Sequence, residues 1–304
     1  MTDLPTPLER APAGLADGRD LWLKREDVHE LGAFKWRGAL PVLTAYREAG
    51  ADGVVTASTG NHGAAAAWSA ERLGLRVVVF APEDATRAKV ELIESLGAEL
   101  QLVGDDFDQA KDAASTYAAA EGLPYFEDGA ERAQYDGYGA IAQEIIGQLE
   151  TPPAAVVVPV GNGALFGGIG LQLARESSGT MRVGVAPKEA PVMVESWRAG
   201  HVVEGSRCAT FADGLGVRVA IPLAVDVLAD VASHMLLVSE RELALELGAY
   251  ADAGLRVEGA AAAALAAVPQ LEDVDGSIIL IVTGRNIDEE LFTRATMRPE
   301  TFPD

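Results

Sequence analysis

An alternation of short apolar segments with alanine-rich or amphipathic segments constrains the fold of this chain most strongly. Val, Ile and Leu dominate the apolar segments GVVTAS, RVVVFAP, AELQLVG, AAVVVPV, MRVGVAP and SIILIVTG. Short runs of this kind are typical of strands buried on both faces, and strands that alternate with helices form parallel βαβ units. The alternation therefore predicts an α/β fold built on parallel-rich sheets.

The segments between these strands predict helices at residues 61–73, 86–96 and 107–120. Residues 1–20 are rich in Pro, Gly and Ala and predict an extended arm, and residues 21–24 predict a short strand. The composition changes around residues 127–139, EDGAERAQYDGYG, and we interpret this stretch as a connection between two lobes.

The net charge of −22 argues against two classes of partner, because such a surface repels nucleic-acid phosphates and anionic lipid. No apolar run approaches the roughly 20 residues that span a bilayer, and the N-terminus has no signal-peptide pattern. Cys208 is the single cysteine, so no intramolecular disulfide or cysteine-based zinc cluster can form. These features predict a cytoplasmic protein. Since the chain ends at Asp304, we expect no fused regulatory domain.

Lys35 stands between two aromatic residues, Phe34 and Trp36, at the head of an apolar helical pattern. A partly desolvated lysine acts as a nucleophile or a base, because burial disfavours its charged form. The same pattern also suits a lysine at a helix N-terminus whose stem packs while its ammonium reaches water. This stretch alone leaves both interpretations open.

A second stretch, residues 56–63 with the sequence TASTGNHG, leads from a strand into a helix. Backbone N–H groups of small residues at a helix N-terminus can face a carboxylate or a phosphate. One Ser, Thr or Asn would suffice to cap the helix, whereas this loop combines three such residues with two glycines and a histidine. The loop therefore predicts an anion site.

A third stretch, VVVPVGNGALFGG at residues 156–168, is a buried strand followed by a glycine-rich loop and a helix. Position and composition predict a phosphate cradle. No Gly-Lys-Ser/Thr follows, so it is not a Walker loop, and Phe166 stands where a dinucleotide fingerprint has its third glycine. The loop has no basic residue, which suits the monoester phosphate of a cofactor held by amides.

A lysine among apolar residues, an anion loop with an asparagine and a phosphate cradle together suggest pyridoxal 5′-phosphate (PLP). In chain order these motifs resemble those of the fold-type II PLP enzymes, in particular the threonine/serine dehydratase group. The resemblance runs over nearly all of the chain and rests on the segments TPL, KRED, GAFKWRGA, STGNHG, VGNGALFGG, FADGLGV, VEGAAAAAL and VTGRN.

The resemblance implies a tryptophan-synthase-beta-like α/β fold of two lobes, with twisted, parallel-rich sheets. The large PLP-binding lobe is expected to hold residues 1–38 and 144–304, and the small lobe inserted into it residues 39–143. The cofactor is expected in the cleft, at the carboxyl ends of parallel strands. The resemblance also suggests a homodimer.

The resemblance makes Lys35 the Schiff-base lysine and the general base at the substrate Cα. It also implies that Asn61 contacts the cofactor 3′-oxygen, while Thr283 meets the pyridine nitrogen. The residues expected to bind the cofactor are Phe34, Lys35, Asn61, Gly161, Asn162, Gly163, Ala164, Leu165 and Thr283. The residues expected to bind the amino-acid substrate are Ser58, Thr59, Gly60, Asn61 and His62.

The implied reaction is an α,β-elimination that converts a β-hydroxy amino acid, L-threonine or L-serine, to a 2-oxo acid and ammonia. Because Thr283 is neutral, it does not keep the pyridine nitrogen protonated as a carboxylate would, which favours rapid loss of a β-substituent. Glu258 either lies near the cofactor ring or is an acidic residue at the start of a helix.

Some positions depart from the family pattern. Thr59 stands where many dehydratases have alanine and related racemases have serine, so it is a second catalytic candidate, for a proton returned from the side opposite Lys35. Asn162 and Ala164 replace glycines that are usual in the phosphate loop. Ala209 occupies the position of a metal-binding glutamate in related enzymes, so we predict no metal site.

Three alternatives stay open at this stage. The first is the same chemistry on another β-substituted amino acid, such as hydroxyaspartate or a hydroxyectoine-pathway intermediate. The second is a β-replacement transferase or an amino-acid racemase of the same fold. The third is a PLP carrier or binding protein without turnover.

Overall fold

The computed structural model describes residues 4–16, 18–83, 85, 87–205 and 208–304, without the side chains of residues 87–89. The strands are β1 (Leu8–Arg10), β2 (Leu21–Arg25), β3 (Gly53–Ala57), β4 (Arg76–Ala81), β5 (Glu99–Leu102), β6 (Ala155–Pro159), β7 (Met181–Pro187), β8 (His234–Val238) and β9 (Ile278–Val282). The helices are α1 (Ala13–Ala16), α2 (Trp36–Glu48), α3 (Asn61–Leu73), α4 (Arg87–Ser95), α5 (Phe107–Glu121), α6 (Arg132–Gln148), α7 (Ala164–Glu176), α8 (Val192–Ala199), α9 (Pro222–Val231), α10 (Glu240–Asp252), α11 (Gly259–Ala266) and α12 (Glu289–Met297).

The chain forms two compact units. One contains the chain up to Phe34 and from Tyr138 onward, and the other runs from Lys35 to Gly137. The predicted lobe division, with residues 1–38 and 144–304 in one lobe and residues 39–143 in the other, stays a prediction.

The first unit contains a six-stranded sheet in the order β1-β2-β9-β6-β7-β8. β1 pairs antiparallel with β2, and every other neighbouring pair is parallel. All residues of β6 and β9 are buried, which is why these strands read as unbroken apolar runs in the sequence. Their side chains join those of α10 and α11 in one large core.

The second unit contains a three-stranded parallel sheet in the order β3-β4-β5. Its core is formed by Val, Ala and Phe residues of β3 and β4 together with Ala114 and Ala118 of α5. α3 begins at Asn61 and ends before Gly74, whose φ of 67° lies in the left-handed region that glycine adopts without strain. The predicted α/β fold with parallel-rich sheets is confirmed.

The N-terminal segment differs from the predicted extended arm. Among its described residues it contains β1, which pairs with β2, and the short helix α1. Pairing with β2 supplies hydrogen bonds that the Pro-rich composition did not reveal. The predicted helix at residues 86–96 corresponds to α4, and residue 86 lies outside the described residues.

Lys24, in the KRED segment, is a fully buried lysine with a structural environment. Its Nζ donates to Glu144 Oε2 at 2.6 Å, to the Thr6 carbonyl at 2.7 Å and to Gln148 Oε1 at 3.0 Å. A buried ammonium persists only when its charge and its donors are matched in this way. Lys24 thus joins the N-terminal segment to α6.

Candidate functional site

The carboxyl edge of the three-stranded sheet brings together the residues of the second unit that were predicted to act. The segment before Asp128 runs parallel to β3: the Val55 amide donates to the Pro124 carbonyl at 3.0 Å, and the Phe126 amide donates to the Val55 carbonyl at 2.8 Å. Parallel strands end at the same edge. The loop that follows β3 and the residues after Phe126 therefore lie side by side.

The loop between β3 and α3 is shaped by Ser58. Its Oγ accepts hydrogen bonds from the amides of Gly60 at 3.1 Å and Gly63 at 2.9 Å. Gly60 is the N-cap residue of α3, and Ser58, two positions before it, supplies the side-chain acceptor for an amide of the first helical turn. Thr59 and Gly60 are half-buried, and within the described part of the chain no residue hydrogen-bonds the Thr59 hydroxyl. The predicted substrate-binding role of Ser58, Thr59, Gly60, Asn61 and His62 stays a prediction.

Lys35 immediately precedes α2, as the sequence predicted for the head of a helix. Its Nζ donates a hydrogen bond to Asp128 Oδ2 at 2.5 Å, and the two side chains are 16% and 23% exposed. The aromatic neighbour Trp36 packs against Trp68 of α3, with ring centroids 6.0 Å apart. Lys35 therefore has an aromatic residue on each side in the chain and forms an ion pair with Asp128.

Asp128 is held on its other oxygen by Gln134, whose Nε2 donates to Oδ1 at 2.9 Å. Burial opposes ionisation of Asp128, but the charge of Lys35 and the hydrogen bonds from Lys35 and Gln134 lower the pKa of the carboxyl group well below its usual range. Asp128 is therefore a carboxylate at neutral pH.

His62 borders the same pair, with Nδ1 3.6 Å from Asp128 Oδ1. Burial lowers the pKa of His62, against the opposing effect of the Asp128 charge. We therefore assign His62 as neutral. The His62 ring also packs on Phe126, with centroids 4.5 Å apart.

In the first unit, the predicted phosphate loop and Thr283 follow two neighbouring parallel strands, β6 and β9. Gly161 can have no side chain, because an added Cβ would lie 2.6 Å from the Gly214 carbonyl oxygen. Gly163 has a φ of 91° and directly precedes α7. Asn162 Oδ1 accepts a hydrogen bond from the Ala164 amide at 3.1 Å. The loop thus lies close against Gly214, in the FADGLGV segment.

Thr283 is buried, and its hydroxyl donates to Glu258 Oε1 at 3.0 Å. Its carbonyl accepts a hydrogen bond from the Phe34 amide at 3.1 Å, which ties the residue before Lys35 to the end of β9. Glu258 directly precedes α11, so it is an acidic residue at a helix start and also the partner of Thr283.

These residues fit PLP chemically. The glycine loop before the 13-residue helix α7 has no acidic side chain that would repel a phosphate, and an N-terminus of this kind binds anions through its amides. The close approach of Gly161 to Gly214 shows that the loop depends on missing side chains, as a backbone cradle does. The individual binding roles of Phe34, Gly161, Asn162, Gly163, Ala164, Leu165 and Thr283 stay predictions, as does the absence of a metal.

Sequence reasoning missed Asp128 and Gln134. Residues 127–139 were interpreted as a connection between lobes, although Tyr125 and Phe126 precede two acidic residues there. A short apolar pair followed by acidic residues, after a predicted helix, is the signal of one more parallel strand with a polar residue at its carboxyl end.

In the residues described, every helix is too short or too polar to span a bilayer.

Comparison with known proteins agrees with this arrangement. The family model described as "Pyridoxal-phosphate dependent enzyme" matches residues 1–284. The L-threonine ammonia-lyase of Geobacter sulfurreducens is 34% identical over 275 residues, which cover 89% of this chain and 68% of that protein. The L-threonine dehydratase biosynthetic IlvA of Bacillus subtilis is 32% identical over 276 residues, which cover 88% of this chain and 65% of that protein.

Among solved structures, the processed form of threonine deaminase isoform 2 from Solanum lycopersicum superposes with a TM-score of 0.91 at 30% sequence identity. The match covers 96% of this chain and 87% of that one. The predicted cofactor, PLP, and the predicted enzyme class, a PLP-dependent ammonia-lyase, are confirmed by these matches. The chain belongs to the pyridoxal-phosphate dependent enzymes of fold type II, in the threonine/serine dehydratase group.

Proposed function

We propose that this protein removes the hydroxyl and amino groups of L-threonine or L-serine and releases a 2-oxo acid and ammonia. The observation that carries the proposal is the Lys35 amine at the start of α2, hydrogen-bonded to the Asp128 carboxylate. A lysine whose ammonium form is stabilised by a fixed carboxylate is suited to accept a proton from the substrate Cα. The similarity to two proteins named for threonine deamination supports the choice of substrate.

PLP, when bound, supplies the electron-withdrawing ring that makes the Cα proton acidic and lets the β-substituent leave. The residues of this chain orient the reactants. We assign the amides of residues 59, 61 and 62 to the substrate carboxylate and the Asn61 side chain to the cofactor 3′-oxygen. The amides of residues 161–163 and 165 are assigned to the phosphate. Because the single proton of the Thr283 hydroxyl is donated to Glu258, lone pairs of its oxygen are left for another donor.

The experiment supplies purified protein and PLP with L-threonine, L-serine or threo-3-hydroxyaspartate, and follows 2-oxo acid and ammonia separately. Lys35→Ala is compared with Lys111→Ala, which removes a 37% exposed lysine paired with Glu127. We expect oxo acid and ammonia in equal amounts from threonine or serine, unchanged turnover in K111A and none in K35A.

Oxo acid from hydroxyaspartate alone would move the assignment to the first alternative substrate class. A spectral change with each amino acid, but no oxo acid from any, would contradict the proposal and direct the search to added nucleophiles, as a β-replacement transferase would require.

A second activity, racemisation, is favoured by the contrast between Ser58 and Thr59. The Ser58 hydroxyl accepts from two loop amides, whereas no described residue hydrogen-bonds the half-buried hydroxyl of Thr59. Thr59 can then donate a proton to Cα. Chiral chromatography of serine after incubation tests this activity: D-serine that disappears in Thr59→Val supports it, and D-serine formation at the same rate in that variant contradicts it.

The resemblance supports a homodimer, and the single cysteine agrees with a location in the cytoplasm. We propose both, together with the two-lobe division given above. Light scattering after size exclusion tests the dimer, for which a mass near twice 31.8 kDa is expected.

A further inference from the structure

We propose that Asp128 is the positioning residue of Lys35, which holds the lysine in its ammonium form during the part of the cycle in which it carries the proton taken from the substrate. This inference rests on the proposed function for its role in the reaction. The pairing itself is a property of the protein alone. Asp128 lies 93 residues from Lys35 in the chain and acts through it.

Gln134 fixes the direction of the Asp128 carboxylate. The Gln134 side chain is fully buried, and its Oε1 accepts a hydrogen bond from the Gly129 amide at 2.7 Å. Its Nε2 must therefore face Asp128 Oδ1, where the distance is 2.9 Å. Tyr135 also holds the residue after Asp128 in place, since its hydroxyl donates a hydrogen bond to the Gly129 carbonyl at 2.8 Å. With Oδ1 occupied, Oδ2 is the oxygen that faces Lys35.

His62 does not replace Lys35 as the donor to Asp128. The Thr56 hydroxyl has one proton, which it donates to the Phe126 carbonyl at 2.7 Å. The Thr56 oxygen must then accept from His62 Nε2, 2.9 Å away, and this assigns the histidine proton to Nε2. Nδ1 of a neutral His62 has a lone pair, and its distance of 3.6 Å from Asp128 Oδ1 agrees with the lack of a hydrogen bond.

The charges then define what Asp128 does. A half-buried carboxylate such as Asp128 is costlier than an exposed one unless a cation matches it. Lys35 matches it when it is an ammonium, and the match is lost when the amine is neutral. Asp128 therefore favours each step in which Lys35 gains a proton, which is the direction required when a base takes the Cα proton.

The first test uses the protein without PLP and without substrate. Reductive methylation with formaldehyde and a borohydride is followed at each lysine by peptide mass spectrometry. Asp128→Asn leaves the shape nearly unchanged and removes the charge. Glu127→Gln is the matched control, because Glu127 is the neighbouring carboxylate and pairs with Lys111.

In D128N we expect modification of Lys35 to accelerate about threefold, as loss of one partly exposed ion pair predicts, with Lys111 unchanged. In E127Q the acceleration is expected at Lys111, with Lys35 unchanged. Equal Lys35 rates in D128N and the native protein would overturn the pairing, whatever the substrate of the enzyme is. Should D128N not fold, Asp128→Ser removes the same charge with a smaller polar side chain, and an unchanged Lys35 rate in that variant contradicts the proposal in the same way.

The second test measures the PLP-loaded enzyme with threonine and with Cα-deuterated threonine. We expect kcat to fall about tenfold in D128N, KM to change less than about twofold, and the deuterium isotope effect on kcat to increase, because proton transfer to Lys35 becomes slower. Partial recovery of kcat in D128E is expected. Native kcat in D128N, despite faster methylation, overturns the catalytic part. Absence of turnover in the native protein refutes the proposed function and leaves the methylation test valid.

Discussion

The loops after β3 and after β6 both lead from a buried parallel strand into a 13-residue helix, yet different interactions hold them in shape. In the loop after β3, one side chain holds the backbone in place, because Ser58 Oγ accepts hydrogen bonds from the amides of Gly60 and Gly63. In the loop after β6, the backbone of Gly161 approaches Gly214, and an added Cβ would lie 2.6 Å from that carbonyl oxygen. The loop after β3 is therefore held by the hydroxyl of Ser58. The loop after β6 has one side-chain acceptor, Asn162 Oδ1, and also requires that Gly161 have no side chain.

This difference bears on how each loop can serve its proposed ligand. In the loop held by Ser58, an added Cβ at Gly60 would meet no atom within 4 Å, whereas an added Cβ at Gly63 would lie 3.2 Å from Ser58 Cβ. In the loop after β6, the backbone of Gly161 packs directly on the Gly214 carbonyl, so a larger side chain at Gly161 cannot be accommodated without a shift. We therefore expect the proposed phosphate loop to respond sharply to small substitutions and the proposed carboxylate loop to respond mildly.

The largest effect is expected for Gly161→Ala. The added methyl group meets a backbone oxygen that cannot rotate away, so the Gly214 segment or the loop must shift, at a cost of about 3 kcal/mol in unfolding free energy. Denaturant unfolding of the protein without PLP measures the stability, and fluorescence titration with PLP measures affinity, which should weaken at least tenfold. Native stability and affinity in G161A would remove the distinction between the loops.

A smaller loss is expected for Gly163→Ala. The φ of 91° disfavours any residue with a Cβ, and the nearest atom to the added carbon, 2.9 Å away, is the flexible Cε of Met193. Conformational strain then dominates, at about 1–2 kcal/mol. If crowding by Met193 contributes, the double variant G163A/M193A should recover part of the loss relative to M193A alone. Additive effects would assign the cost to the backbone.

For Ser58→Ala we expect a loss of about 1–2 kcal/mol, because two loop amides lose their acceptor as they do when a helix cap is removed. Ser58→Thr retains the hydroxyl and serves as the control. The accompanying readout is amide hydrogen exchange at Gly60 and Gly63, which should accelerate in S58A. Unchanged exchange would show that the loop is held by something other than the serine.

The smallest effect is expected for Gly60→Ala, which should change the unfolding free energy by less than about 0.5 kcal/mol, since the added methyl group enters open space. The informative quantity is KM for the amino acid. A raised KM at native stability would place the substrate against Gly60, whereas an unchanged KM would place it elsewhere along the loop.

The sequence predicted much of the fold from local information. β-branched runs marked β3, β4, β6 and β9, and α3 was predicted at its observed limits, residues 61–73. The strands predicted least well were those whose apolar content is low or whose partner is distant. β1 lies in a Pro-rich segment and is recognisable only through its pairing with β2. The strand-like segment before Asp128 has only the apolar pair Tyr125 and Phe126 to mark it in the sequence, and its pairing with Val55 identifies it in the structure.

The sequence by itself determined the α/β fold, the family and the cofactor, because these depend on periodicity and on motifs whose residues are neighbours in the chain. The tertiary structure alone decided which charges meet. The sequence placed Lys35 between aromatic residues, and the fold set Asp128, 93 residues later, against its amine. Likewise Thr283 was predicted as a neutral hydroxyl, and the fold directed its proton to Glu258. Electrostatic partners depend on distance in space, which parallel strand order sets and local sequence does not encode.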